Sequence, residues 1–67
     1  MKVYSTILQG SEATEDNAIN FAKLYDFSED EICENTALCS QFDYIDTIKG
    51  IDIYYNFAGD YYFFSKE

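Results

Sequence analysis

The sequence predicts an α+β fold: a small single domain, residues 1–67, in the order β-α-α-β-β-β, with an antiparallel meander packed against two helices. Three observations predict this fold class. The chain is short, its first half carries helix-start signals at Thr14 and Ser28, and its last third holds three β-branched and aromatic runs separated by glycine-containing dipeptides. A chain of this length buries only about 60% of its unfolded surface, so its seven tyrosines and six phenylalanines are expected to supply much of the core.

The first predicted element is a strand over residues 2–8. Val3, Ser5 and Ile7 alternate there with residues of similar mixed character, which is typical of a strand whose two faces are both partly covered. Gln9-Gly10-Ser11 ends it. We expect this strand to join one edge of the meander.

The second element is a helix that begins after Thr14 and continues to about Tyr25. Thr14 is a suitable N-cap, and Glu15 and Asp16 lie in the first turn, where the helix dipole favours negative charge. Apolar residues follow at helical spacing, which predicts one buried stripe: Ala18, Phe21, Ala22 and Tyr25.

The third element is expected to be a second, short or irregular helix that ends before Phe42. Ser28 and Glu31 form a capping-box pattern at its start. Cys33 and Cys39 would lie in this segment. Their spacing matches neither a C-x-x-C redox pair nor a zinc site, so both are interpreted as small buried hydrophobic residues in a reducing, cytoplasmic environment.

The remaining elements form a three-stranded meander with turns at Lys49-Gly50 and Ala58-Gly59. A two-residue turn at Lys49-Gly50 predicts four cross-strand pairs on the core face: Ile48 with Ile51, Asp46 with Ile53, Tyr44 with Tyr55, and Phe42 with Phe57. Asp46 is the misfit among them.

The turn at Ala58-Gly59 decides the register of the last strand. A two-residue turn pairs Ile53 with Phe64 and Tyr55 with Tyr62 on the core face. The outward face would then carry an apolar patch edged by Asp43 and Asp52: Ile45, Tyr54, Tyr61 and Phe63. A slip of one residue at this turn would exchange Tyr61 and Phe63 with Tyr62 and Phe64.

Charge limits the function. Thirteen Asp and Glu residues stand against four lysines, with no arginine or histidine, and the formal net charge is −9. Nucleic acid and anionic membranes are excluded as direct ligands, because both are bound through Lys and Arg. Capping accounts for the acids at the helix starts, but an excess this large predicts a basic protein partner.

Nothing in the sequence predicts an enzyme, a cofactor or a metal site. Catalytic cysteines are usually activated by a histidine, which this chain lacks. The stretch that begins at Asp26 resembles the first half of a calcium loop, but Glu31 and Ala37 stand where that loop requires Gly and Glu.

The leading functional hypothesis is a small acidic inhibitor that blocks a basic nucleic-acid-binding site on a host enzyme, as anti-CRISPR and anti-restriction proteins of the DNA-mimic type do. It would act in the cytoplasm. Carboxylates would stand in for phosphates and aromatic side chains would anchor the complex, which predicts these partner-binding residues: Glu29, Asp30, Glu34, Asp43, Asp52, Tyr54, Tyr61 and Phe63. Two alternatives are an immunity protein or antitoxin that neutralises a basic nuclease toxin, and a structural protein that self-associates as a homodimer through the aromatic face.

Overall fold

A computed structural model describes residues 2–34 and 42–65, with backbone alone at Glu29, Cys33 and Glu34. Its elements are, in chain order, β1 (Lys2–Leu8), α1 (Glu15–Leu24), β2 (Ile32–Glu34), β3 (Phe42–Ile48), β4 (Ile51–Asn56) and β5 (Tyr61–Ser65). Short 3-10 turns occupy Gly10–Glu12 and Phe27–Glu29.

The five strands form one antiparallel sheet in the order β2-β1-β5-β4-β3. The predicted α+β class and the β3-β4-β5 meander are therefore confirmed. The first strand joins the meander through β5, and the short β2 lies on its other side. No helix among residues 2–34 and 42–65 has the length and apolar character needed to cross a membrane.

Helix α1 begins as its sequence predicts, but its predicted buried stripe is met only in part, because Tyr25 is exposed and follows the helix. The Thr14 side-chain oxygen accepts a hydrogen bond of 3.2 Å from the Asn17 N–H, so Thr14 is the N-cap. Ala18 and Ala22 are buried, and these small side chains let the helix lie close to the sheet. The helix ends at Leu24, because Tyr25 has extended backbone angles.

The expected second helix is wrong over Ser28–Glu34. Asp26 Oδ1 accepts a 3.0 Å bond from the Ser28 N–H and caps the 3-10 turn, after which Ile32–Glu34 pair with β1. The outer edge of β1 would otherwise expose unpaired backbone groups, and pairing them is more favourable than forming a short helix. The rest of the expected helix, including Cys39, lies outside the described residues, as does the Cys33 side chain.

The β3–β4 hairpin has the predicted two-residue turn, with positive φ at Lys49 (53°) and Gly50 (80°), as in a type I′ turn. The predicted pairs nearest the turn, Ile48 with Ile51 and Asp46 with Ile53, are confirmed, and Thr47 lies opposite Asp52 between them.

Beyond these pairs the register shifts between Tyr44 and Asp46. Tyr44 therefore lies opposite Tyr54 rather than Tyr55, and Phe42 opposite Asn56 rather than Phe57. This bulge resolves the misfit of Asp46, which is exposed and accepts a 2.7 Å bond from the Thr47 N–H.

The predicted register of β5 is wrong by one residue. Ile53 pairs with Phe63 and Tyr55 with Tyr61. The turn contains three residues rather than two, because the Asn56 N–H donates to the Asp60 carbonyl (3.0 Å) and Asn56 Oδ1 accepts from the Asp60 N–H (2.9 Å). This is the alternative register that a shift of one residue at this turn predicts.

The core lies on the face of the sheet that α1 covers, which we call the helix face. Phe63 is fully buried there, with its ring centroid 5.2 Å from that of Phe21 and 5.3 Å from that of Phe27. Phe27 also contacts Tyr4, at 4.7 Å. The chain after α1 thus folds back under β1 and β5 and completes an aromatic core.

Replacing Phe63 by alanine should lower the free energy of unfolding by about 3–5 kcal/mol, because it leaves a cavity among packed rings. The matched control is Phe57→Ala, at a turn residue that is 88% exposed, with an expected change within about 0.5 kcal/mol. Urea denaturation followed by circular dichroism measures both, and the milder Phe63→Leu serves if the alanine variant does not fold. Equal losses at the two positions would contradict the observed register.

Candidate protein-binding surface

The structure does not bring the predicted partner-binding residues together. Tyr61 and Phe63 were expected on the outward face, but both are buried on the helix face. The three-residue turn is the physical reason, because a slip of one residue exchanges the two faces of a strand. Only Tyr54, of the three predicted aromatic residues, lies on the face that α1 does not cover, which we call the outer face.

The outer face carries a chain of ring contacts across β3, β4 and β5. Their centroid separations are between 4.7 and 5.9 Å, and they join Phe42, Tyr44, Tyr54, Tyr62 and Phe64. Phe64 is fully buried, Tyr54 and Tyr62 are half-buried, and Tyr44 is 56% exposed. Tyr44, at the β3 edge, is therefore the member of this cluster most accessible to another molecule.

Asp52 was expected to be an exposed phosphate mimic, but it is only 7% exposed. Its Oδ1 accepts a 2.6 Å hydrogen bond from Thr47 Oγ1, which lies 2.6 Å from the Tyr44 hydroxyl. A threonine hydroxyl has one proton, so Tyr44 is the donor to Thr47. This relay orients the Tyr44 ring, and the Asp52 carboxylate is held within the fold instead of on the exposed surface.

Asp30 also serves the fold. Its carboxylate accepts bonds from the Thr6 N–H (3.0 Å) and Thr6 Oγ1 (2.9 Å), and the Tyr25 hydroxyl lies 3.4 Å away. The adjacent Ser5 N–H donates to the Glu31 carbonyl at 2.9 Å. Asp30 thus accepts hydrogen bonds from β1 beyond Tyr4, which is the last β1 residue that pairs with β2. The structure does not describe the side chains of Glu29 and Glu34.

Asp43 is exposed at one end of the sheet, and the register places other acids at that same end. Leu8 and Tyr55 both pair with Tyr61, and Asp43 pairs with Tyr55, so β1 ends where β5 and β3 begin. The chain that leaves β1 there carries three exposed carboxylates, and half-buried Asp60 immediately precedes β5. This acidic end comprises Glu12, Glu15, Asp16, Asp43 and Asp60.

The described lysines lie at the opposite end. Lys2 begins β1 and pairs with Ser65, and Lys49 occupies the β3–β4 turn. Lys49 Nζ donates a 2.9 Å bond to the carbonyl of Lys23 in the last turn of α1. Within residues 2–34 and 42–65, the acidic end therefore has no lysine of its own.

The pKa of Tyr61, at the start of β5, is affected by a charge in the first turn of α1. Burial raises the pKa of the Tyr61 hydroxyl above its ordinary value of 10.0, and Tyr55 and Glu15 raise it further. The contribution of Glu15 indicates that the first turn of α1 lies near the start of β5. The sequence alone identifies Glu15 and Asp16 only as capping residues, because the placement of α1 against the sheet depends on tertiary packing.

No group of three or more potential metal-ligating side chains is arranged to hold a metal ion in the part of the chain that the structure describes.

Replacing Asp30 by alanine should lower the free energy of unfolding by about 1–3 kcal/mol, because it leaves the Thr6 N–H without its acceptor. The control Asp43→Ala removes the same charge from an exposed site and should change stability by no more than about 0.5 kcal/mol. Chemical denaturation of both variants measures the difference. A neutral result for Asp30→Ala would show that the contact with β1 is dispensable.

Stability should fall as the pH rises above about 10, because the folded state keeps the Tyr61 proton that the unfolded chain releases. The contribution is fully present below the ordinary tyrosine pKa and is lost as the pH passes the raised one. Tyr61→Phe should therefore flatten the alkaline part of the stability profile, measured by urea denaturation at several pH values.

The variant Glu15→Gln should move the Tyr61 pKa back towards its ordinary value, because it removes one of the charges that raise it. The phenolate absorbance of wild type minus Tyr61→Phe, each with and without Glu15→Gln, isolates this group, and Asp16→Asn is the control. An unchanged Tyr61 titration in Glu15→Gln would show that α1 does not begin near Tyr61.

Comparison with known proteins finds no matching family model, no matching curated protein and no matching solved structure.

Proposed function

We propose that this protein is a small acidic inhibitor that occupies a basic nucleic-acid-binding site on another protein, with its acidic end as the contact surface. The observation that carries the proposal is a group of carboxylates at the one end of the sheet where the described residues include no lysine. Carboxylates from the β1–α1 connection, β3 and the β4–β5 turn converge at one end, while Lys2, Lys23 and Lys49 lie at the other.

This separation favours one orientation of approach. A net charge of −9 attracts any basic protein, but only a directional charge distribution presents the same surface at each encounter. Clefts that bind nucleic acid are lined with lysine and arginine, which contact phosphates. Exposed carboxylates on a rigid sheet end are the complementary groups on a protein, and this supports a role as a nucleic-acid mimic.

The outer face supplies an apolar contact near the same end. Tyr44 follows Asp43 directly on β3, is 56% exposed, and is oriented by its hydrogen bond to Thr47. Tyrosine is enriched among the residues that contribute most to binding at protein interfaces. We therefore assign Tyr44, instead of Tyr61 or Phe63, as the aromatic anchor.

The test compares two double charge reversals with equal net charge. Glu12→Lys with Asp43→Lys changes the acidic end, and Asp26→Lys with Glu31→Lys changes exposed acids elsewhere. Each variant, after circular dichroism shows that it folds, is used with wild type to capture proteins from a lysate at low salt. Wild type and the second variant should capture nucleic-acid-binding enzymes, and adding heparin or duplex DNA should release these enzymes. The acidic-end variant should capture few of them.

Equal capture by the two variants would show that only net charge matters and would contradict a defined contact surface. Capture that is insensitive to both salt and DNA would contradict the mimic mechanism itself.

A further inference from the structure

A groove of about 490 Å³ lies beside α1. Its apolar walls come from Leu8 at the end of β1 and from Phe21, Leu24 and Tyr25 at the end of the helix. Glu12, at the acidic end, also lines it. The groove thus runs along α1, past Asn17 and Asn20, from Glu12 at the acidic end to Leu24, which follows Lys23 in the last turn of the helix.

Leu24 is the unusual residue of this groove. It is 86% exposed, although its neighbours Phe21 and Leu8 contact the core. Phe57 is equally exposed, at 88%, but stands in the β4–β5 turn and does not line the groove. Leu24 therefore adds accessible apolar surface to an existing concavity, whereas Phe57 is a single exposed side chain of the kind that most proteins tolerate.

We propose that this groove receives a large apolar side chain from a lysine- or arginine-rich segment of the partner, with the cations of that segment facing Glu12 and the first turn of α1. The inference rests on the proposed function and names the chemistry of the partner. Charge complementarity selects this occupant, because a second copy of the chain would bring another −9 charge to the same surface.

The chain contains no tryptophan, so a peptide with one tryptophan reports its own burial by fluorescence. The probe is a ten-residue lysine-rich peptide with a central tryptophan, and its partner peptide has alanine at that position. Each is titrated at low and high salt, by fluorescence and calorimetry, against wild type, Leu24→Ser and the control Phe57→Ser. Sedimentation of each protein alone measures self-association.

We expect the tryptophan emission to shift to shorter wavelength on binding wild type. Leu24→Ser should bind this peptide about tenfold more weakly, as expected for the loss of one buried apolar side chain, whereas Phe57→Ser should bind it as wild type does. The alanine peptide should bind all three proteins equally and weakly.

Equal binding of the tryptophan peptide to Leu24→Ser and Phe57→Ser would overturn the groove assignment. If the alanine peptide still bound in a salt-sensitive way, the acidic contact surface would be supported even though the groove assignment is wrong. Failure of both peptides to bind wild type at low salt would reject the basic partner as well. A dimer lost in Leu24→Ser would identify a second copy as the occupant and overturn the proposal.

Discussion

The hydrogen bonds between Asn56 and Asp60 determine which side of β5 faces the core. By closing a three-residue turn, they align Phe63 with Ile53 and Tyr61 with Tyr55. The rest of the helix face follows from that alignment, because Phe21 and Phe27 both pack on the Phe63 ring. In a small domain, one turn of the backbone therefore decides which residues of β5 enter the core.

The carboxylates divide into two groups with different physical roles. Four of them accept hydrogen bonds within the fold: Asp26 from the 3-10 turn that it caps, Asp30 from the edge of β1, Asp46 from the Thr47 N–H and Asp52 from the Thr47 hydroxyl. These bonds replace interactions with water, so the charges contribute to the fold. The carboxylates of the acidic end lie together without a nearby lysine in the described chain, and their mutual repulsion opposes folding. A surface that is unfavourable in the free protein and complementary to a cation is consistent with a role in binding.

Charge and apolar surface lie next to each other on this molecule. The groove beside α1 starts at Glu12, and Tyr44 follows Asp43 on the neighbouring strand. Carboxylates act over a long range and orient a partner, whereas apolar contacts act only on close approach and slow dissociation. A groove that runs from the acidic end along α1 would therefore let the two kinds of surface serve successive steps of a single binding event.

The sequence by itself determined the α+β class, the N-cap of α1, the meander and the two-residue turn at Lys49-Gly50, because each depends on residues close together in the chain. It also determined the charge, and hence the kind of partner that we propose. Tertiary structure alone decided three things: that Ile32–Glu34 pair with β1 instead of forming a helix, that β3 is bulged near Ile45, and that β5 is shifted by one residue. The gathering of carboxylates at an end of the sheet that holds no described lysine follows from the strand order and pairing. Strand pairing joins residues far apart in sequence, and its energy depends on which edges are left unpaired, so no local pattern specifies it.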